Sequence, residues 1–270
     1  MPYAAFNGIQ HYYQEAGTGS PLLLVHGWPA SSYYWQSVIP LLARHHRVLA
    51  VDLKGFGRSD KPDTGYQIAD LAGDLANFLT AMGIESADVC GHSMGGMISY
   101  ALTLDHPQRV RRLVAVSAPV HGPSSVFPYL RVGTLPGLRT LAFPLTRVRF
   151  MNRLVSTLFT AGNPIPAEVI EDIAKTTYAS ALQSQMSMQS TDLSTRLSAI
   201  RHQTLIMYGE RDLVITPTQP LMARARIVSS RIEVLAGCGH CPSVEQPEPF
   251  ASHVLAFLGA REVGLAAAAG

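Results

Sequence analysis

Three side chains able to break an acyl bond stand at the ends of apolar runs: a serine, a histidine and an aspartate. Ser93 lies in Gly91-His92-Ser93-Met94-Gly95, directly after the apolar run Ala87-Asp88-Val89-Cys90 and directly before a helical pattern. A serine with glycines two positions to either side, set between strand and helix, has the pattern of a sharp nucleophile turn. A Cβ at either glycine would collide with the adjoining strand or helix. The turn strains the serine backbone and leaves its hydroxyl above a helix N-terminus, which favours developing negative charge.

A serine hydroxyl attacks a carbonyl only if a base takes its proton, and histidine is the usual base. Of the 10 histidines, His240 lies in a glycine-rich loop after the last strand, Ala236-Gly237-Cys238-Gly239-His240-Cys241-Pro242. On a sharp turn the His92 side chain points elsewhere. His26 is expected to support the loop behind the first buried strand, and His45, His46, His106, His202 and His253 to sit at helix ends or surfaces. The base needs a carboxylate to fix its tautomer. Asp212 follows a strand in Gly209-Glu210-Arg211-Asp212, with Glu210 as its rival. After the strand Arg112–Ser117 the chain reads Ala118-Pro119-Val120, so no acid is available there. Two backbone donors should face the oxyanion: Met94 N–H, opening the helix, and Trp28 N–H, in His26-Gly27-Trp28-Pro29. Pro29 fixes that loop, and a cis bond after Trp28 is open to it.

The elements that must hold these groups can be read from hydrophobic spacing. Ile9–Glu15 and Pro21–Val25 are expected strands joined as a hairpin by Gly17-Thr18-Gly19. A helix is expected from about Tyr34 to Arg44, then a strand Arg47–Asp52 running into a glycine-rich turn to Asp60. Ile68, Leu71, Ala72, Leu75, Phe78, Leu79 and Met82 recur at helical spacing until Gly83. Strands Ala87–Gly91, Arg112–Ser117, Thr204–Tyr208 and Arg231–Leu235 follow, with a closing helix from about Pro249 to Leu258. Alternation of strands and helices implies a mostly parallel, doubly wound sheet, in which chemistry collects beyond the carboxyl ends of the strands.

Composition agrees with this. The chain has 270 residues, 47% hydrophobic and 15% charged, with a net charge of +2. Such a balance fits a large buried core and gives no case for nucleic acid. Three cysteines make no disulfide framework, the N-terminus lacks the pattern of a signal peptide, and no apolar run suits a bilayer span. A cytoplasmic protein, monomeric or homodimeric, is the expectation. Cys238 and Cys241 lack further metal ligands nearby and are read as small loop residues, with a disulfide or an oxidation-sensitive pair as the alternative; Cys90 is strand core.

From Leu22 through Leu258 the chain resembles the α/β-hydrolase superfamily, in particular its small cap-bearing serine esterases. The resemblance rests on His26-Gly27-Trp28-Pro29, the Asp52–Ser59 turn, Gly91-His92-Ser93-Met94-Gly95-Gly96, Gly209-Glu210-Arg211-Asp212 and Gly237-Cys238-Gly239-His240. It implies a core of residues 1–119 and 203–262 and a helical cap at 120–202 inserted after the sixth strand; the alanine-rich end, 263–270, is expected to be a disordered tail. Haloalkane dehalogenases and epoxide hydrolases are similar around the first two motifs, but they use a carboxylate nucleophile where this chain has Ser93. Carbon–carbon bond hydrolases use serine, commonly with Asn before it and Trp after the catalytic histidine; here those positions hold His92 and Cys241.

In the cap, an apolar roof that includes Phe127, Leu130 and Phe143, with the pliable Met186 and Met188 and with Trp28 from the core, is the expected substrate pocket. Between His106 and Ala167 there is no acidic residue, while Arg109, Arg111, Arg112, Arg131, Arg139, Arg147, Arg149 and Arg153 fall in that span. They form either an ordinary solvated face or a weak contact for an anionic substrate tail or lipid surface. The expected activity is cofactor-free and metal-free hydrolysis of a small ester with a hydrophobic acyl or aryl group. A carbon–carbon hydrolase, a thioesterase or lactonase, a perhydrolase, and a ligand receptor with vestigial hydrolysis are the alternatives.

Overall fold

The structure, a computed structural model, describes residues 2–125, 160 and 165–259. Phe127, Leu130 and Phe143, the arginines from 131 to 153 and the tail at 263–270 lie outside the described residues.

The chain builds an eight-stranded sheet in the order β1-β2-β4-β3-β5-β6-β7-β8. The strands are β1 (Tyr3–Phe6), β2 (Ile9–Ala16), β3 (Ser20–Val25), β4 (His46–Val51), β5 (Ala87–His92), β6 (Val110–Val116), β7 (Thr204–Gly209) and β8 (Ser230–Leu235). From β4 to β8 across the sheet all neighbours are parallel. Leu22 and Leu24 face one layer and Leu23 and Val25 the other, all fully buried, as parallel strands covered on both faces require.

One layer holds α2 (Ile68–Ala81) and α3 (Met94–Asp105). The other is built on Trp35, α1 (Ile39–Leu42) and Phe250. The insertion between β6 and β7 contributes α4 (Ala167–Ala174) and α5 (Tyr178–Ser190). After β7 come α6 (Thr218–Arg226), α7 (Pro242–Glu245) and α8 (Pro247–Phe257).

Three expectations change. β2 and β3 are not hairpin partners: β2 pairs antiparallel with β1 and β4, and β3 sits between β4 and β5. The continuously apolar β3 needs a neighbour on each side, whereas β2, partly exposed along its length, suits a place near the sheet edge. The single helix expected from Tyr34 to Arg44 is two short turns, Ser32–Trp35 and α1, because Pro40 fits the first turn of a helix but not its interior. His46 is not at the surface but is the buried first residue of β4.

The second half of the insertion is tied to core loops. Arg58 donates to Asp172 at 3.0 Å, Gln183 to the Asp63 carbonyl at 2.6 Å, and Ile68 N–H to Ser187 Oγ at 2.8 Å. The buried face of α5 is mostly small and polar, with Ser180, Ala181, Ser184 and Ser187 beside Met188. That allows close approach: a Cβ on Gly55 would come 2.7 Å from Ser180 Cβ.

Candidate active site

β5 is buried along its whole length and ends in the turn at Ser93, whose backbone has φ 54° and ψ −118°. For a non-glycine residue this is a strained conformation. It is held from both sides: Ser93 N–H donates to the Val116 carbonyl at 2.9 Å, and its own carbonyl accepts from Gly96 N–H at 2.9 Å and Met97 N–H at 3.1 Å. The flanking glycines are there for space. A Cβ on Gly91 would overlap the Gly95 carbonyl oxygen and Ser99 Oγ, and one on Gly95 would overlap the carbonyl oxygens of Val25 and His26.

The loop after β3 lies against this turn. A Cβ on Gly27 would come 3.0 Å from Ser93 Cβ and 2.9 Å from His92 Nδ1. The Trp28–Pro29 bond is cis. His26 keeps the loop in place, as expected. It donates from Nδ1 to the Gly27 carbonyl at 2.9 Å and accepts Leu53 N–H at Nε2 at 3.0 Å, so the ring fits its site only when neutral. Burial lowers its pKa accordingly. Of the two amides expected at the oxyanion, Met94 directly follows Ser93 and Trp28 directly follows Gly27, which packs on Ser93; among the described residues neither backbone N–H donates a hydrogen bond. The Trp28 indole donates to the Ala181 carbonyl at 3.2 Å, linking this loop to α5.

The loops after β7 and β8 meet just as closely. A Cβ on Gly209 would overlap the carbonyl oxygens of Gly239 and Cys238. Arg211 N–H donates to the Cys238 carbonyl at 2.8 Å. The rival acid Glu210 is engaged elsewhere, accepting Gly237 N–H at 2.8 Å. Asp212 instead accepts from His240 Nδ1 at 2.9 Å through Oδ2, while Oδ1 accepts Val214 N–H at 2.8 Å and Ile215 N–H at 3.0 Å. Burial alone would push the Asp212 carboxyl up; the His240 ring and the two amides outweigh it and hold the pKa below the usual carboxylate range. A carboxylate in this position fixes the tautomer that leaves His240 Nε2 free to accept a proton.

His92 is turned inward. Its Nε2–H donates to the His240 carbonyl at 2.8 Å, its ring stacks on Tyr34 at 4.4 Å, and the His240 ring lies 4.7 Å away at a tilt of 54°. Burial, with the neighbouring His240, lowers its pKa well below the ordinary histidine value. The ring that packs on His240 thus belongs to the residue just before Ser93. Cys238 and Cys241 are buried free thiols, and burial pushes the Cys238 thiol up to about 12. That opposes thiolate chemistry.

Of the pocket candidates within the described residues, Trp28 is half-buried and faces α5. Met188 packs into the core layer of α2 and α3, and Met186 is 50% exposed on α5. Arg111 and Arg112 are committed to Asp88 at 2.9 Å, and Arg109 bonds the Ala76 carbonyl at 3.0 Å. Sequence reasoning passed over Glu245, whose carboxylate accepts Gly239 N–H and Cys241 N–H, both at 2.8 Å. The available signal was its place four residues beyond Cys241, one helical turn away.

A family model described as the alpha/beta hydrolase fold matches residues 20–247. A 2-hydroxymuconate semialdehyde hydrolase of a Pseudomonas strain is 32% identical over 93% of this chain and 91% of its own. A 2-hydroxy-6-oxo-2,4-heptadienoate hydrolase of Pseudomonas putida is 31% identical over 94% of this chain and 95% of its own. Among solved structures, an esterase from Exiguobacterium antarcticum superposes with a TM-score of 0.82 at 25% identity, covering 95% of this chain and 98% of that one.

Proposed function

The chain belongs to the α/β-hydrolase family and is a hydrolase, and from that premise we propose that it is a serine esterase acting through an acyl-enzyme. The observation that carries the reading is the 2.9 Å contact of His240 Nδ1 with buried Asp212, beside a strained serine turn that has no carboxylate at the nucleophile position. Ser93 Oγ attacks the ester carbonyl while His240 Nε2 takes its proton, and Asp212 stabilises the imidazolium. Trp28 and Met94 amides bind the oxyanion. His240 then gives the proton to the leaving alcohol, and water, activated by the same ring, releases the acid from Ser93.

The ester preference is supported at the two positions flanking the machinery. His92 spends its donor on the His240 carbonyl, and Cys241 is buried, where carbon–carbon hydrolases commonly carry Asn and Trp. A hydrophobic acyl or aryl group under a helical cap at 120–202 completes the reading. Cleavage of a vinylogous diketone is the second reading, favoured by the two Pseudomonas relatives.

A panel of p-nitrophenyl esters of increasing chain length, a lactone and a 2-hydroxy-6-oxo-dienoate separates the two. The ester reading expects kcat/KM to be highest on an ester. A higher value on the dienoate would overturn it. Ser93→Ala should abolish turnover and leave the melting temperature nearly unchanged; retained activity would remove the serine mechanism.

A further inference from the structure

We propose that Glu245 is a positioning residue for His240, an assignment that rests on the serine-hydrolase reading. The catalytic loop has little of its own to hold it. It contains Gly237, with φ 68°, and Gly239, and the helix that directly follows it, α7, has four residues. A histidine on such a loop must still present its ring to within about half an ångström of the productive position.

Three side chains supply the restraint through the backbone. Glu245 lies at the end of α7 and folds back over one turn. One carboxylate oxygen takes Gly239 N–H and the other takes Cys241 N–H, each at 2.8 Å, so the two amides on either side of His240 share one anion. Bonds of this charge-assisted kind are about twice as strong as neutral ones. His92 Nε2–H takes the carbonyl of His240 itself at 2.8 Å. Glu210 takes Gly237 N–H at 2.8 Å from the acid loop. Side chains therefore hold residues 237 to 241 at four backbone atoms, in addition to the main-chain bond from Arg211 N–H to the Cys238 carbonyl and those from Val244 and Glu245 N–H to the Cys241 carbonyl, and the ring is left to meet Asp212. Glu245 supplies two of the four side-chain restraints, and these two flank the residue whose side chain must be aimed.

The chemistry of the grip requires a carboxylate. Glutamine keeps one acceptor oxygen but turns an NH2 group toward the other amide, which is a donor facing a donor. Alanine frees both amides. A misplacement of about 1 Å at a catalytic group costs on the order of 100-fold in rate.

The test compares wild type, Glu245→Gln and Glu245→Ala, each titrated to completion with a fluorophosphonate that labels Ser93, and assayed on one p-nitrophenyl ester. Expected is a fall in kcat per labelled site of roughly 10-fold for Gln and roughly 100-fold for Ala, with KM changed by less than about twofold. The Gln variant carries the test if Ala does not fold. Lowered melting temperature with kcat per labelled site unchanged would mean that Glu245 only stabilises the loop, and the assignment falls. A wild type that takes no label at Ser93 would overturn the serine-hydrolase reading, and this assignment with it.

Discussion

Asp88 and Asp212 are buried carboxylates of one sheet, at opposite ends of its strands. Asp88, near the start of β5, meets the guanidinium groups of Arg111 and Arg112, each at 2.9 Å, and Arg112 also bonds the Leu258 carbonyl at 2.7 Å. Its partners are guanidinium groups, and together they join β5, β6 and the end of α8. Asp212 meets an imidazole and two amides, and that imidazole can gain and lose a proton. The two carboxylates differ little in burial. They differ in the kind of partner, guanidinium or imidazole, and this separates an anchor from the proposed working site.

The largest test of that contrast is Asp212→Asn, which keeps the shape but lets an NH2 group face His240 Nδ1 and favours the wrong tautomer. A fall in kcat of about ten-thousandfold is expected in steady-state ester hydrolysis. A fall of less than tenfold would show that His240 works unaided. Asp88→Ala is the mirror experiment. It should leave kcat per folded molecule unchanged and lower the free energy of unfolding by about 3 kcal/mol, the low end for a broken buried pair because both arginines reach solvent. Urea denaturation measures the loss, and an unaltered midpoint would make the anchor ornamental.

Acid provides the finest comparison. His26 and His92 are held neutral by burial, with folded pKa values below 6.5. The unfolded chain takes up protons there that the folded chain refuses. Their contribution is complete above pH 6.5 and is lost as pH falls below it, at about 1.4 kcal/mol per histidine per pH unit. Asp212, held below 3.8, adds its own loss only at lower pH, as its carboxylate is protonated. Urea midpoints between pH 8 and pH 5 should show a plateau followed by a decline, and a flat profile over that range would contradict the neutral histidines.

The residues of the proposed machinery stand out in the sequence because each sits at a strand end and carries a local signature. Ser93 has its glycines, His240 its loop after β8, and Asp212 its short loop after β7. The inward turn of His92 also follows from the turn geometry alone. What escaped were relations between distant segments. The partner of β2 is decided by how many neighbours β3 needs, and the Gly17-Thr18-Gly19 turn says nothing of that. Pro40 announced the break in the expected first helix, but the apolar spacing around it hid the signal. His46, next to arginine and a second histidine, looks like a surface residue until β4 is paired on both sides. Glu245 acts on backbone amides, so its place one turn beyond Cys241 is the one trace it leaves in the sequence.

The hydrogen bond from the Trp28 indole to the Ala181 carbonyl bears on how this chain can diversify. An insertion joined to a core only at its two ends can be exchanged wholesale, and new specificities then come from swapping one roof for another. Here a residue of the loop beside Ser93 reaches into the inserted segment, and Arg58 and Ile68 do the same from a loop and from the start of α2. A grafted insertion lacking a carbonyl at the place of Ala181 would leave the indole without its partner and the loop beside Ser93 free to drift. Diversification in this chain should therefore proceed by changes at Trp28 and the insertion together, one contact at a time.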